Sequence, residues 1–285
     1  EADNAEKSLD ELGNGLRTQL TETINIHRQG ITGPNSKSRQ EIKQQILTSE
    51  HFVEFMKSYA ESKNTSIAAV HKSAEGYLDE IASDFSPFVA KVAYYILHTI
   101  FKIMFDDIVV NQDGLSAAKE ASRRGPVVFI PCHRSHIDYL VLSYMYYKND
   151  LSVPLIAAGK NLSFWPMGPI FRRCGAFFIR RSFHGAVLYA NVFSEYIATI
   201  LQEGYNVEQF IEGGRSRTGK LLTPKLGMLT IVLNTLKEQR IKELTLIPIF
   251  IGYDRVVEEK SYLKEIKGGQ KNPEKFGSLL RASTF

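Results

Sequence analysis

The sequence is poor in cysteine: Cys132 and Cys174 are the only two among 285 residues. Two thiols cannot build a disulfide framework or a four-cysteine zinc site, and a reducing compartment is the simplest setting for them. Histidine is thin as well, with seven scattered residues and no His-Glu-x-x-His spacing, so no metal is expected. Long apolar runs are missing. The most membrane-like stretch, Phe85 to Phe105, is broken by Lys91, His98 and Lys102 and falls short of the ~20 apolar residues of a spanning helix. It reads as a buried or interfacial helix. Internal repeats and low-complexity tracts are absent. The chain opens Glu1-Ala-Asp-Asn, without a basic-then-apolar leader or an initiator methionine, and reads as a piece of a longer protein.

What is there is the material of an ordinary globular protein. Apolar residues make up 44% and charged residues 23%, which excludes wholesale disorder, and 285 residues suffice for about two domains. The net charge of +4 is unevenly spread: residues 1–85 carry nine Lys/Arg against fourteen Asp/Glu, a balance of −5 that leaves +9 for the remainder. Residues 151–194 hold Lys160, Arg172, Arg173, Arg180 and Arg181 and no acidic residue, a field that attracts phosphates, lipid head groups or nucleic acid.

Two patterns divide the chain. Residues 1–110 show apolar positions at helical spacing, such as Leu9, Leu12, Leu16 and Leu20, then Phe52, Phe55, Met56 and Tyr59, with a loop at Thr32–Ser36. They predict an all-helical N-terminal domain. Residues 111–285 alternate short apolar, β-branched runs with amphipathic segments. Strands are expected at Pro126–Pro131, Val153–Ala157, Ala176–Ile179, Val207–Ile211 and Leu244–Ile251, and helices at 136–148, 183–203 and 225–239. The fold class is therefore α/β, a mostly parallel sheet flanked by helices, in which ligands bind beyond the carboxyl ends of the strands.

The residues after those strands carry the chemistry. The first run ends Pro131-Cys132-His133-Arg134-Ser135-His136-Ile137-Asp138. On one continuous helix His133 and Asp138 would stand about 140° apart. A helix that begins near Ser135 instead leaves His133 in the preceding loop, where the Asp138 carboxylate can reach back to its imidazole. The plain alternative is that Ser135-x-x-Asp138 is only a capping box. Cys132 is expected in the core. The second run, Gly175-Ala-Phe-Phe-Ile-Arg180-Arg181, delivers two guanidiniums suited to bidentate phosphate recognition, or a solvated basic corner. The third, Phe210-Ile-Glu212-Gly213-Gly214-Arg215-Ser216-Arg217-Thr218-Gly219-Lys220, nearly matches a P-loop, but Leu221 stands where the Mg²⁺-binding hydroxyl belongs and Pro224 follows where a helix should start. It also lacks the final glycine of a nucleophile elbow. The fourth, Leu246-Ile-Pro248-Ile-Phe-Ile-Gly252-Tyr253-Asp254, reads as a buried strand with a polar end.

In this order and spacing the four blocks, with Ala157–Arg173 between them, resemble the glycerolipid acyltransferases, in particular the bacterial membrane-associated and mitochondrial glycerol-3-phosphate acyltransferases; dihydroxyacetone-phosphate acyltransferases are the near alternative. The resemblance covers about residues 120–265. It implies transfer of a long-chain acyl group from acyl-CoA or acyl-carrier protein to the 1-hydroxyl of glycerol 3-phosphate, with no cofactor beyond that co-substrate. His133 and Asp138 become the catalytic pair, Arg180, Arg215 and Arg217 the phosphate ligands, and Glu212, Gly213 and Ser135 the orienting residues. Phe164, Trp165 and Phe171 are expected to touch the acyl chain or a membrane, and the protein to sit peripherally on the cytoplasmic face of the bacterial inner membrane. Partners are then the two substrates and membrane lipid, not nucleic acid. Two rivals remain from other classes: a non-catalytic module binding anionic lipid or nucleic acid through the basic stretch, and a degenerate acyltransferase fold serving as a scaffold.

Overall fold

A computed structural model describes residues 37–183 and 185–254, together with Val256. The expected Leu9–Leu20 periodicity and the Thr32–Ser36 loop lie outside these residues. The first described helices start where a side chain satisfies their free amides. In α1 (Arg39–Thr48) Ser38 and Glu41 form a reciprocal capping box. Ser49, Ser66 and Ser86 cap α2 (Glu50–Ser62), α3 (Ile67–Ile81) and α4 (Pro87–Met104), the last with proline in its first turn. Asn111 does the same for α5 (Gln112–Arg124).

From there strands and helices alternate: β1 (Val127–Pro131), α6 (Asp138–Lys148), β2 (Leu155–Gly159), a short 3₁₀ turn at Lys160–Leu162, α7 (Met167–Arg173), β3 (Ala176–Ile179), α8 (Val187–Gln202), β4 (Val207–Glu208), α9 (Gly227–Lys237) and β5 (Thr245–Ile249). The sheet is parallel throughout, in the order β3-β2-β4-β1-β5. The expected α/β class is the one observed. Strand β3 falls where the sequence puts it, whereas β2 starts two residues late because Pro154 has no N–H to pair, and Leu155 supplies the first donor, to Asn206 O. Strand β4 keeps only two of its five expected residues. After Glu208 the chain turns at Phe210–Gly213 and leaves the ladder to wrap around the site. Pro248 is tolerated because β5 is an edge strand.

The pleat sorts β1 between two cores. Val128 faces a large cluster with Ile46, Phe52, Met56, Leu78, Phe177, Tyr196 and Val232, so α1 to α3, α8 and α9 share one core with the sheet. Val127 and Phe129 face Ala118, Ala121, Leu142 and Tyr146 of α5 and α6. Outside α6 lies α4, joined to it through Phe101, Ile137, Val141 and Tyr144. The far side of α4 exposes Phe88, Val92, Tyr95, Ile96 and Ile103. Among the described residues no helix is long and apolar enough to cross a membrane.

Candidate active site

The loop after β1 is organised by one carboxylate. Asp138, the first residue of α6, is 0% exposed, and its Oδ2 accepts hydrogen bonds from Arg134 N at 2.6 Å, Ser135 N at 2.9 Å and His133 Nδ1 at 2.8 Å. Its Oδ1 accepts from the Tyr253 hydroxyl at 2.7 Å. A carboxylate stripped of water is tolerable only with such a set of donors, several of them charge-assisted. The capping box does not form, since α6 starts at Asp138 behind Ile137 without a side-chain cap; Asp138 Oδ2 instead takes the Ser135 amide in the same set of donors that includes the imidazole. Ser135 is itself fully buried, and its hydroxyl accepts from Ile137 N at 3.4 Å.

Because Nδ1 donates to Asp138, the other ring nitrogen of His133, Nε2, carries the free lone pair. The ring lies against Phe210, centroids 4.4 Å apart. The backbone is held just as firmly, His133 N donating to Glu212 Oε1 at 2.9 Å and His133 O accepting from Ser216 N at 2.8 Å. Glu212 is buried and spends its second oxygen on Leu222 N at 2.8 Å. Both lone-pair faces of this carboxylate thus serve to tie the 213–221 loop to the catalytic-type histidine. Arg215 and Arg217 flank Ser216, so the same tie carries their backbone to the His133 loop. Gly213 turns at φ +62°, and the Lys225 side chain passes where a Cβ would sit, 2.7 Å from its Cδ. The positive φ favours glycine there, while the Lys225 chain could shift aside.

Arg180 follows β3 as expected, but its guanidinium is engaged. Nε and Nη2 fork onto Glu80 Oε1 and Oε2 at 2.7 and 2.8 Å, and the plane rests over the Tyr189 and Tyr77 rings. Lys160 Nζ reaches the same carboxylate at 2.7 Å. The two cations hold the Glu80 carboxyl below its usual range, and Glu80 in turn raises the guanidinium further. Arg172 is likewise turned inward, donating to the carbonyls of Glu80 and Ala82 over the Phe178 ring. Arg181, by contrast, is exposed. Of the three aromatic candidates, Phe171 packs edge-on against Tyr139, the neighbour of Asp138, while Phe164 and Trp165 face solvent, Trp165 at 85%. Cys132 is buried, as expected, its sulfur accepting from Ile251 N at 3.1 Å. Among the described residues no group of His, Cys, Asp and Glu is arranged to hold a metal.

An imidazole with a free lone pair, backed by a buried carboxylate, is equipped to take a proton from a hydroxyl. Residues 114–252 match the family described as Acyltransferase. These residues form an acyltransferase family domain. Relatives named glycerol-3-phosphate acyltransferase include those of Shewanella loihica, 41% identical over 279 residues, and Haemophilus influenzae, 43% over 254 residues. These alignments cover 95% and 89% of this chain but 34% and 31% of the relatives. The chain spans about a third of the length of the curated relatives it matches.

Sequence reasoning about this acyltransferase domain missed two partners. Tyr253 was visible only as the polar end of a strand; its position just beyond the carboxyl end of β5, where ligands collect in such sheets, was the usable signal. Glu80 lies a hundred residues from Arg180 on a helix with no motif, and nothing local marks it.

Proposed function

We propose that the acyltransferase domain acts as a glycerol-3-phosphate 1-O-acyltransferase, using acyl-CoA or acyl-carrier protein as donor and releasing lysophosphatidic acid, the first step of phospholipid synthesis. The observation that carries this reading is the 2.8 Å contact between His133 Nδ1 and the buried Asp138, which leaves Nε2 free. Nε2 removes the proton of the 1-hydroxyl as its oxygen attacks the thioester carbonyl. The tetrahedral adduct collapses, the C–S bond breaks, and the imidazolium returns its proton to the departing thiolate. Asp138 stabilises the imidazolium throughout, fixed from its other side by Tyr253. Base assistance of this kind contributes about 10²–10⁴-fold, and no acyl-enzyme is needed.

Arg215 and Arg217 bind the substrate phosphate. Arg181 joins them, since it is exposed whereas its neighbour Arg180 is bound to Glu80. Arg180 contributes at the edge of that group with the part of its guanidinium that Glu80 leaves open. Glu212, Gly213 and Ser135 hold the two loops in register. Phe171 lies on the acyl-chain path beside Tyr139, and Phe164 and Trp165, both exposed, meet the surface of an anionic bilayer. On this reading the protein sits peripherally on the cytoplasmic face of the inner membrane. Neither metal nor cofactor enters this scheme.

The test is thiol release from palmitoyl-CoA with glycerol 3-phosphate, dihydroxyacetone phosphate or no acceptor, in the presence of vesicles, for wild type and His133→Ala. Release that needs both glycerol 3-phosphate and His133 is expected, with the circular dichroism of the variant unchanged. Preference for dihydroxyacetone phosphate would move the assignment to the neighbouring acyltransferase class. Acceptor-independent release would mean a thioesterase, and lipid binding without release would mean a binding module.

A further inference from the structure

The mechanism leaves the buried acid Glu208 unused. Glu208 is the last residue of β4, the central strand, with its Cα in register with Phe129 on one side and Ile156 on the other. It is fully buried. Its Oε2 accepts from the Tyr146 hydroxyl at 3.0 Å, and Oε1 has no hydrogen-bond partner among the described residues. Tyr146 lies on α6, the helix whose first residue is Asp138, and its ring packs on Phe129 at 4.8 Å. Two residues beyond Glu208, Phe210 lies against the His133 ring. Glu208 thus stands behind both the helix that holds Asp138 and the ring that backs His133.

An ionised Glu208 would leave Oε1 as a bare charge in an apolar core, close to a second carboxylate. A neutral carboxyl avoids both costs. We propose that Glu208 is a positioning residue of the His133–Asp138 pair, an acid protonated at neutral pH that fastens α6 to the central strand through Tyr146 and sets no second charge against Asp138 from behind. The role of His133 rests on the acyltransferase reading; the protonation and the fastening do not. Burial, with a smaller push from Asp138, raises the Glu208 carboxyl to about 8 against the pull of the Tyr146 bond. The Tyr146 hydroxyl is pushed up by burial and by Glu208, so it remains a donor. Among the described residues these are the titratable groups that bear on Glu208, and both belong to α6.

The sign of the linkage is fixed by that direction. A carboxyl whose folded pKa is raised costs nothing below its unfolded value, near 4.5, and costs progressively more as pH rises toward 8. Glu208→Gln, neutral at every pH and able to accept from Tyr146, is therefore expected to gain thermal stability over wild type steadily between these limits. Its His133 titration, followed by NMR, should match wild type below neutrality. A stability difference that stays constant with pH, or a His133 pKa lowered in the Gln variant, would mean that Glu208 is already ionised and would overturn the first half of the proposal. The second half is read from the proton shared between His133 Nδ1 and Asp138. Its downfield NMR signal should persist in Glu208→Gln and broaden or vanish in Glu208→Leu and Tyr146→Phe. Persistence in all three variants would show that α6 needs no fastening here. These readouts stand even if thiol release is absent, so they separate this proposal from the acyltransferase assignment.

Discussion

Two strand ends of this sheet look alike in sequence and differ in fate. Beyond central β1 and β4, the carboxylates of Asp138 and Glu212 are drawn inward around His133 and bonded mainly to backbone amides of neighbouring loops. Beyond edge strand β3, Arg180 reaches a carboxylate on α3, a helix from far upstream. The difference lies in what packs above each end. At the centre, two loops face each other and supply orphan amides that only a carboxylate can satisfy in number. At the edge, aromatic rings and Glu80 already offer a guanidinium a complete seat. A charged residue after an apolar strand is therefore a site candidate only until its neighbours across the fold are known.

Asp138→Ala should separate the two ends most sharply. It strands two amides, an imidazole N–H and a tyrosine hydroxyl, and is expected to cost roughly 3 kcal/mol or more in chemical denaturation along with all His133-dependent turnover. A loss of activity without loss of stability would mean that the amides find water instead.

At the edge, Arg180→Ala should cost about 1–2 kcal/mol in the same measurement, through the forked bond and the two ring contacts. Arg181→Ala should leave stability unchanged and raise the KM for the phosphorylated acceptor while sparing that for the acyl donor. If the two variants exchanged phenotypes, the contrast between the strand ends would fail.

The smallest effect concerns pH. Because Arg180 and Lys160 hold the Glu80 carboxyl below its usual range, its contribution is present above the unfolded pKa, near 4.5, and is lost as pH falls through the lower folded value. Glu80→Gln should thus be less stable than wild type at neutral pH, and the gap in melting temperature should close on acidification below that value. A gap that widened in acid would mean that the pair opposes folding.

Much of the fold was legible because local signals and packing agree. The helical spacing of Phe52, Phe55, Met56 and Tyr59 is found in α2, where Phe52 and Met56 are buried. The run Ala176–Ile179 is an apolar strand bounded by Gly175 and two arginines, and it is found unshortened. Where the reading fell short, tertiary contacts took precedence. Phe210 and Ile211 have the composition of a strand, yet the chain leaves the ladder once the Gln209 amide has bonded to Phe129 O, because the loop must meet His133. Of the site, the His133 and Asp138 spacing was readable once a helix start was allowed between them. The partners that define the environment were not: Tyr253 comes from the segment after β5 and Glu80 from α3, and no local pattern encodes a contact made across a hundred residues or more.

The Glu212 clamp has a further consequence for how this scaffold could be altered. One of its oxygens closes the 213–221 loop at Leu222 and the other ties the loop's start to His133, and the Ser216 amide adds one more tie on the His133 side. Residues 218–221 lie beyond those ties and are exposed. That stretch is a cassette whose length and composition can be exchanged to suit a different acceptor, while the posts that hold it, and the histidine between them, stay where they are.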